Sequence, residues 1–220
     1  MTQPDKIINQ EVLRPVGQTA LLSCGILGPL IFLIVYFTFG SVSPDFDMMR
    51  QPIGRLELMD YGWIQSANFI VYGLFTCAFA VGLRNELQSG PGVILLPLLQ
   101  VFAASGMIML GIFIHEPVHT YVSIFLTVSL VAGFWLFARR FAGNPQWKRW
   151  VVSTNLCAFS MIMLSVLYWY AHHVDSPIAG IFEHLLIAVR MVWLVVFILK
   201  LLWGSSLAEV EGVEESPYTK

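Results

Sequence analysis

Apolar side chains follow one another with few polar interruptions in six segments of the chain, residues 20–39, 62–83, 92–114, 120–138, 150–171 and 177–203. The first five contain no Asp, Glu, Lys, Arg or His. A bilayer core about 30 Å thick is crossed by roughly 20 helical residues, each rising about 1.5 Å, and every segment has about that length. Runs such as Leu30-Ile31-Phe32-Leu33-Ile34-Val35 lack the in–out alternation of a membrane β-barrel strand. The pattern predicts an all-α, polytopic membrane bundle of six transmembrane helices. The longest connector covers residues 40–61, too short for a separate domain. One transmembrane domain, 20–203, is expected, with a cytoplasmic N-terminal segment, 1–19, and an acidic, disordered cytoplasmic tail, 204–220.

Composition sharpens what the pattern excludes. Hydrophobic residues make up 57% of the 220-residue chain and charged residues 12%, against about 45–50% and about 25% in soluble domains. Too little charge remains to cover a water-soluble surface, and a net charge of −2 offers no basic face for phosphate backbones. A soluble enzyme, a nucleic-acid binder and a disordered regulator are excluded, and membrane lipids are the expected partners. The pattern specifies no oligomeric state. Lys6, Arg14, Arg84, Arg139, Arg140, Lys148, Arg149, Lys200 and Lys220 fall on one side of the membrane, with only Arg50 and Arg55 on the other. This bias places both termini in the cytoplasm of a cell inner (plasma) membrane protein. Residues 20–39 are too long for a signal-peptide core and lack a small-residue cleavage site, so they are read as an uncleaved first helix. Cys24, Cys77 and Cys157 all lie within spans, which argues against a disulfide framework.

On this topology the polar chemistry is one-sided. His115, His119, His172, His173 and His184 all fall at extracytoplasmic helix ends, accompanied by Glu116, Asp175, Glu183 and the acidic residues Asp45, Asp47, Glu57 and Asp60 of the first outer connector. Imidazole with carboxylate is the ligand set of zinc and other divalent metals, so His115, His119 and His184 are candidate metal ligands. His115-Glu116-Pro117-Val118-His119 has the letters of the H-E-x-x-H pattern, in which two histidines one turn apart bind zinc and the glutamate activates water. Pro117 opposes that reading, because it opens the next helix and disfavours helical geometry at Glu116. A hydrated rim of histidines facing headgroups accounts for the same residues. As acid–base groups, His119, Glu116 and Glu183 are the candidate catalytic residues.

Arg190 is the second polar signal. It lies roughly 20 Å from the cytoplasmic end of the sixth helix by rise per residue, where an arginine costs at least about 2.5–3.5 kcal/mol. It is therefore expected to face the bundle interior or a wet cavity. Glu183 stands two turns earlier, about 10 Å away along the axis, and Gln65 and Asn68 in the second helix have comparable depth. Such a set is either a polar clasp between helices or a cation with hydrogen-bonding partners for an anionic ligand. Gly25-x-x-Gly28 and Ala78-x-x-x-Gly82 are small-residue surfaces suited to close helix packing.

Several of these residues fall in segments with a family likeness. Ile53-Gly54-Arg55-Leu56 resembles the I-S-x-L segment that follows the first helix in the DUF998 family of six-helix prokaryotic membrane proteins. Gly62-Trp63-Ile64-Gln65, Asn68-Phe69 and Gly73 continue the resemblance. So do Gly111-Ile112-Phe113 with Glu116-Pro117, His119 at the start of the fourth helix, and Val189-Arg190. Gly54 stands where the family usually has serine, and Glu116 where it has aspartate. The resemblance implies the six-helix topology, assigns no reaction, and adds Arg55 and Glu57 to Arg190, Gln65 and Asn68 as candidate ligand-binding residues.

The expected function is a membrane protein with a polar, extracytoplasmic-facing pocket that binds or modifies a lipid headgroup or another amphiphile. A small-solute transporter or permease shares the intramembrane arginine and glutamate but not the inverted repeat common in that class. A non-catalytic envelope assembly protein would use the polar rim to hold a partner. Haem is disfavoured because the histidines sit at helix ends.

Overall fold

The computed structural model describes residues 15–87, 90 and 92–203. Residues 1–14 and the tail 204–220 lie outside the described residues, with Lys6, Arg14 and Lys220 of the charge count. Six helices carry the chain: α1 (Val16–Val42), α2 (Trp63–Glu86), α3 (Leu95–Ile112), α4 (Val118–Phe141), α5 (Lys148–His173) and α6 (Ala179–Trp203). Each is long and apolar enough to cross a membrane, and no strand occurs among the described residues. This is a multi-pass helical membrane protein. The helices coincide with the six apolar runs, their ends moving by no more than four residues. Four of the six run past the apolar stretch at one or both ends, because good helix formers such as Gln18, Arg84 and Arg139 continue the backbone hydrogen bonding beyond the hydrocarbon.

Glycine contacts give the register of the bundle. Gly82 lies against Leu21 and Leu22, Gly25 against Phe79, and Gly28 against Tyr72 and Phe75, so α1 and α2 are antiparallel. Gly111 rests on Ser66 and Phe69 while Gly73 rests on Ala104 and Ile108, which pairs α2 with α3 in the same sense. Gly92 against Leu136 and Gly106 against Leu126 pair α3 with α4. Trp150 meets Phe197, and the Trp193 indole donates to Thr154 Oγ1 at 3.2 Å, which pairs α5 with α6. Gly25 also touches Ile198, and Tyr36 bonds His184, so α6 returns to α1. Each helix packs on the next around a closed up-and-down ring. Lipid gives no hydrophobic drive to helix association, so close backbone approach through small residues supplies the contact. Gly25, Gly28 and Gly82 have that role.

The connectors alternate between two ends of this ring. The end holding the α2–α3 and α4–α5 connectors is filled by rings: Trp193 stacks on Phe197, Phe141 on Trp147, and Phe137 sits edge-on to Phe197. At the other end the α1–α2 connector contains an unexpected 3₁₀ turn, Ile53–Leu58. One face of it is buried, with Ile53 2%, Leu56 0% and Glu57 4% exposed, while Arg55 and Leu58 face outward. The chain reverses tightly from this turn into α2, and a Cβ on Gly62 would run into the Glu57 carbonyl. The turn therefore packs one face into the end of the bundle.

The same connector is pinned to the α5–α6 connector by Arg50, whose guanidinium donates to both Asp175 oxygens at 2.8 and 2.7 Å. That contact holds the Asp175 carboxyl below its ordinary range. A folded pKa below the unfolded one contributes stability above the ordinary carboxylate range and loses it as pH falls through the lowered value. Both side chains are exposed, so salt screens the pair. Asp175→Asn is expected to shift the thermal midpoint only slightly at neutral pH. The difference should vanish in acid or at high salt, as read by scanning fluorimetry in mild detergent.

Candidate functional site

A cavity of about 480 Å³ lies inside the ring, within the range of about 300–1,000 Å³ typical of small-molecule sites. Most of its wall is apolar, with Phe32, Phe69, Met107, Leu110, Val131 and Met191 contributing. His119, Glu183 and Arg190 also line it. His119 stands in the first turn of α4 and Glu183 in the second turn of α6, while Arg190 is two turns deeper at mid-helix.

Arg190 is 5% exposed, and its guanidinium carbon lies 5.4 Å from the centre of the Tyr72 ring. That cation–π contact offsets part of the charge's desolvation. One terminal nitrogen is buried without a hydrogen-bond partner. Among the described residues no carboxylate lies within ion-pair distance of Arg190. The Tyr72 hydroxyl, the Gln65 amide nitrogen and the Asn68 amide oxygen are also buried and unpartnered. These residues form one connected group. Asn68 donates to Gln65 Oε1 at 3.2 Å and to the Phe32 carbonyl at 3.0 Å, and Phe32 packs on Tyr72 at 5.1 Å. A buried polar group without a partner costs about 1–3 kcal/mol, more when charged. Counting the Arg190 nitrogen, four buried polar atoms are left without a partner, and of their residues Tyr72 and Arg190 line the cavity.

At the other end of the cavity two carboxylates anchor the 3₁₀ turn, Glu57 from within it and Glu183 from α6. Glu57 reaches His119 Nε2 with one oxygen at 3.2 Å and accepts from Ser66 Oγ with the other at 2.9 Å. Glu183 accepts the backbone N–H of Ile53 at 2.7 Å. Ile53 and Gly54 are part of the cavity wall, so the turn roofs that end. Gly54 faces the imidazole directly, and a Cβ there would stand 2.6 Å from His119 Cε1. Only a residue without a side chain leaves the ring in this position.

The expected site residues are thus only partly brought together. His119, Glu183 and Arg190 share the cavity, Gln65 and Asn68 are buried outside its wall, and Glu57 holds His119 from the roof. Glu183 and Arg190 do not pair: two turns of α6 separate them, and Glu183 accepts the Ile53 N–H. His115 and Glu116 are exposed on the α3–α4 connector, where Glu116 accepts the Thr120 N–H at 3.3 Å. α4 begins after Pro117, so His115 lies outside the helix that carries His119, as the proline requires. Arg55 is exposed. His184 is bonded to the Tyr36 hydroxyl and the Gly180 carbonyl, on the α1 side of its helix. Among the described residues no three His, Cys, Asp or Glu side chains come together as a metal set, and His115, His119 and His184 point to three different surroundings. The pocket expected to face outward at this end is covered there by the turn. Tyr72 was missed by the sequence reading, although its spacing from Asn68 and Gln65 puts all three on one face of α2.

A family model described as "Protein of unknown function (DUF998)" matches residues 26–200, from within α1 to within α6. The chain belongs to the DUF998 family. None of the curated proteins and none of the solved structures matches it. In this DUF998 protein the matched stretch contains the entire cavity, its roof turn and every polar group just described.

Proposed function

We propose that this DUF998 protein lies in the inner (plasma) membrane with both termini in the cytoplasm and binds an anionic amphiphile in the cavity. The Lys and Arg bias supports the orientation, which puts the 3₁₀ turn on the extracytoplasmic side. The unpartnered, buried nitrogen of Arg190 carries the ligand reading. A guanidinium in an apolar, membrane-embedded wall is stabilised most by an anion, and carboxylate or phosphate matches its donor geometry. The lining of Phe32, Phe69, Met107 and Leu110 suits the alkyl part of the same molecule. His119 and Glu183, nearer the roof, are placed to bond a second polar group of the ligand or to exchange a proton with it.

The test is a titration of the nanodisc-reconstituted protein with octanoate and with the uncharged octanol. Octanoate is expected to bind at least about tenfold tighter, as one charge-assisted contact of about 1.5–3 kcal/mol implies. Arg190→Gln should remove that preference and Arg190→Lys retain part of it, with thermal melts showing that both fold. An unchanged preference for octanoate in Arg190→Gln would overturn the reading.

A further inference from the structure

We infer that the alkyl chain of the bound amphiphile leaves the cavity sideways, between α4 and α5, so that the ligand enters from the membrane and not from water. The inference rests on the anion site at Arg190 and adds the route and the chain-bearing nature of the ligand. Six side chains line the cavity and are also exposed on the outer face of the bundle: Ile124 44%, Val128 61% and Trp135 55% on α4, and Ile162 39%, Val166 63% and Trp169 40% on α5. Residues that belong to both surfaces mark the place where the cavity meets the outside.

The other exits are closed. Ile53 and Gly54 cover the connector end, held by Glu183 and Glu57 through His119. Toward the opposite end Phe134 and Phe137 pack edge-on against Trp193. The mouth is apolar in a specific way. Ser123, Thr127 and Ser165 line the cavity on α4 and α5, but their hydroxyls donate to the carbonyls of His119, Ser123 and Met161 on their own helices at 2.9, 2.9 and 2.8 Å. They leave few polar atoms for a solute to follow.

Depth agrees with this. Val128 lies about 15 Å along α4 from its start and Val166 about 10 Å from the end of α5, while Arg190 is about 16 Å into α6. All three levels fall inside a hydrocarbon layer about 30 Å thick. A ligand with its anion at Arg190 and its chain in the α4–α5 mouth therefore lies roughly in one plane, its tail among lipid chains. A small hydrophilic anion has no comparable route.

Two measurements on the reconstituted full chain test the route. Palmitate and hexadecyl phosphate carrying a diazirine at mid-chain are photolysed in the bound state and the adducts mapped. Labelling is expected within residues 124–135 and 162–169, and labelling confined to other helices would overturn the inference. The two probes separate a carboxylate from a phosphate source. In the second measurement Val128→Trp/Val166→Trp fills the mouth from two exposed positions that tolerate bulk. Palmitate affinity should fall at least about tenfold while octanoate binding is retained. Equal loss of both, or of neither, would overturn the sideways route and leave the Arg190 site standing. Failure of the wild type to bind any of these anions would overturn the anion site itself, and the route with it.

Discussion

Glu57→Ala is expected to lower the unfolding free energy by about 3 kcal/mol, the scale for removing one partner of a buried, hydrogen-bonded pair. The carboxylate is fully enclosed and serves two groups at once, His119 Nε2 at 3.2 Å and Ser66 Oγ at 2.9 Å. Alanine leaves both without an acceptor and opens space under the 3₁₀ turn. Glu57→Gln keeps the Ser66 bond and the side chain's volume, so its loss should be nearer about 1 kcal/mol. For a chain of this size about 1 kcal/mol moves the midpoint by roughly 2–4 °C, so thermal melts in mild detergent separate the two variants. A second readout is local. Glu57→Ala should raise the labelling rate of Ile53→Cys by a membrane-impermeant maleimide, because the turn is then held by Glu183 alone. A melt indistinguishable from wild type would mean that the Glu57–His119–Ser66 contact does not hold the roof.

Gly111→Val should destabilise by about 1–3 kcal/mol or more, the range for overpacking a tight interior. A Cβ at Gly111 would overlap the Ser66 carbonyl and come within 2.9 Å of Ile70 Cγ1. Gly73 makes the reciprocal approach, with its Cβ position 2.8 Å from the Ala104 carbonyl. Backbone cannot rotate aside as a side-chain tip can, so α2 and α3 must separate. Ser66, Phe69 and Tyr72 ride on the displaced helix, so ligand affinity should fall together with the melting temperature. Gly17, with nothing within 4 Å of its Cβ position, is the matched control. Gly17→Ala should keep or raise the midpoint, since alanine favours helix by about 0.8–1 kcal/mol at an open site. Equal midpoints for the two variants would refute the tight α2–α3 crossing.

Much of the site's chemistry was legible residue by residue and little of it pair by pair. Arg190 could be read as buried because a charge at that depth is tolerated only inside the bundle. Pro117 could be read as breaking H-E-x-x-H because its effect acts on the adjoining residues. The fate of the histidines could not be read in this way. His119, His115 and His184 have similar neighbours in the sequence, yet one faces Glu57, one faces solvent and one bonds Tyr36. Rotation of α4 and α6 about their axes decides where His119 and His184 face, and that rotation is set by contacts with other helices, while His115 lies in a connector.

Hydropathy by itself determined the six spans and the all-helical class, because every backbone N–H and C=O in hydrocarbon must be satisfied within its own segment. That is a local requirement, so it is written locally. The small residues that let α1 and α2 approach were visible for the same reason. Only the tertiary structure decided the closed ring, the turn anchored by its own Glu57 on His119 and by Glu183 on Ile53, the guanidinium set on Tyr72 without an acidic partner among the described residues, and the mouth between α4 and α5. Each depends on which helix stands beside which. In a chain with six similar apolar segments, neighbour choice is made by the fit of side chains far apart in sequence, not by any pattern within one segment.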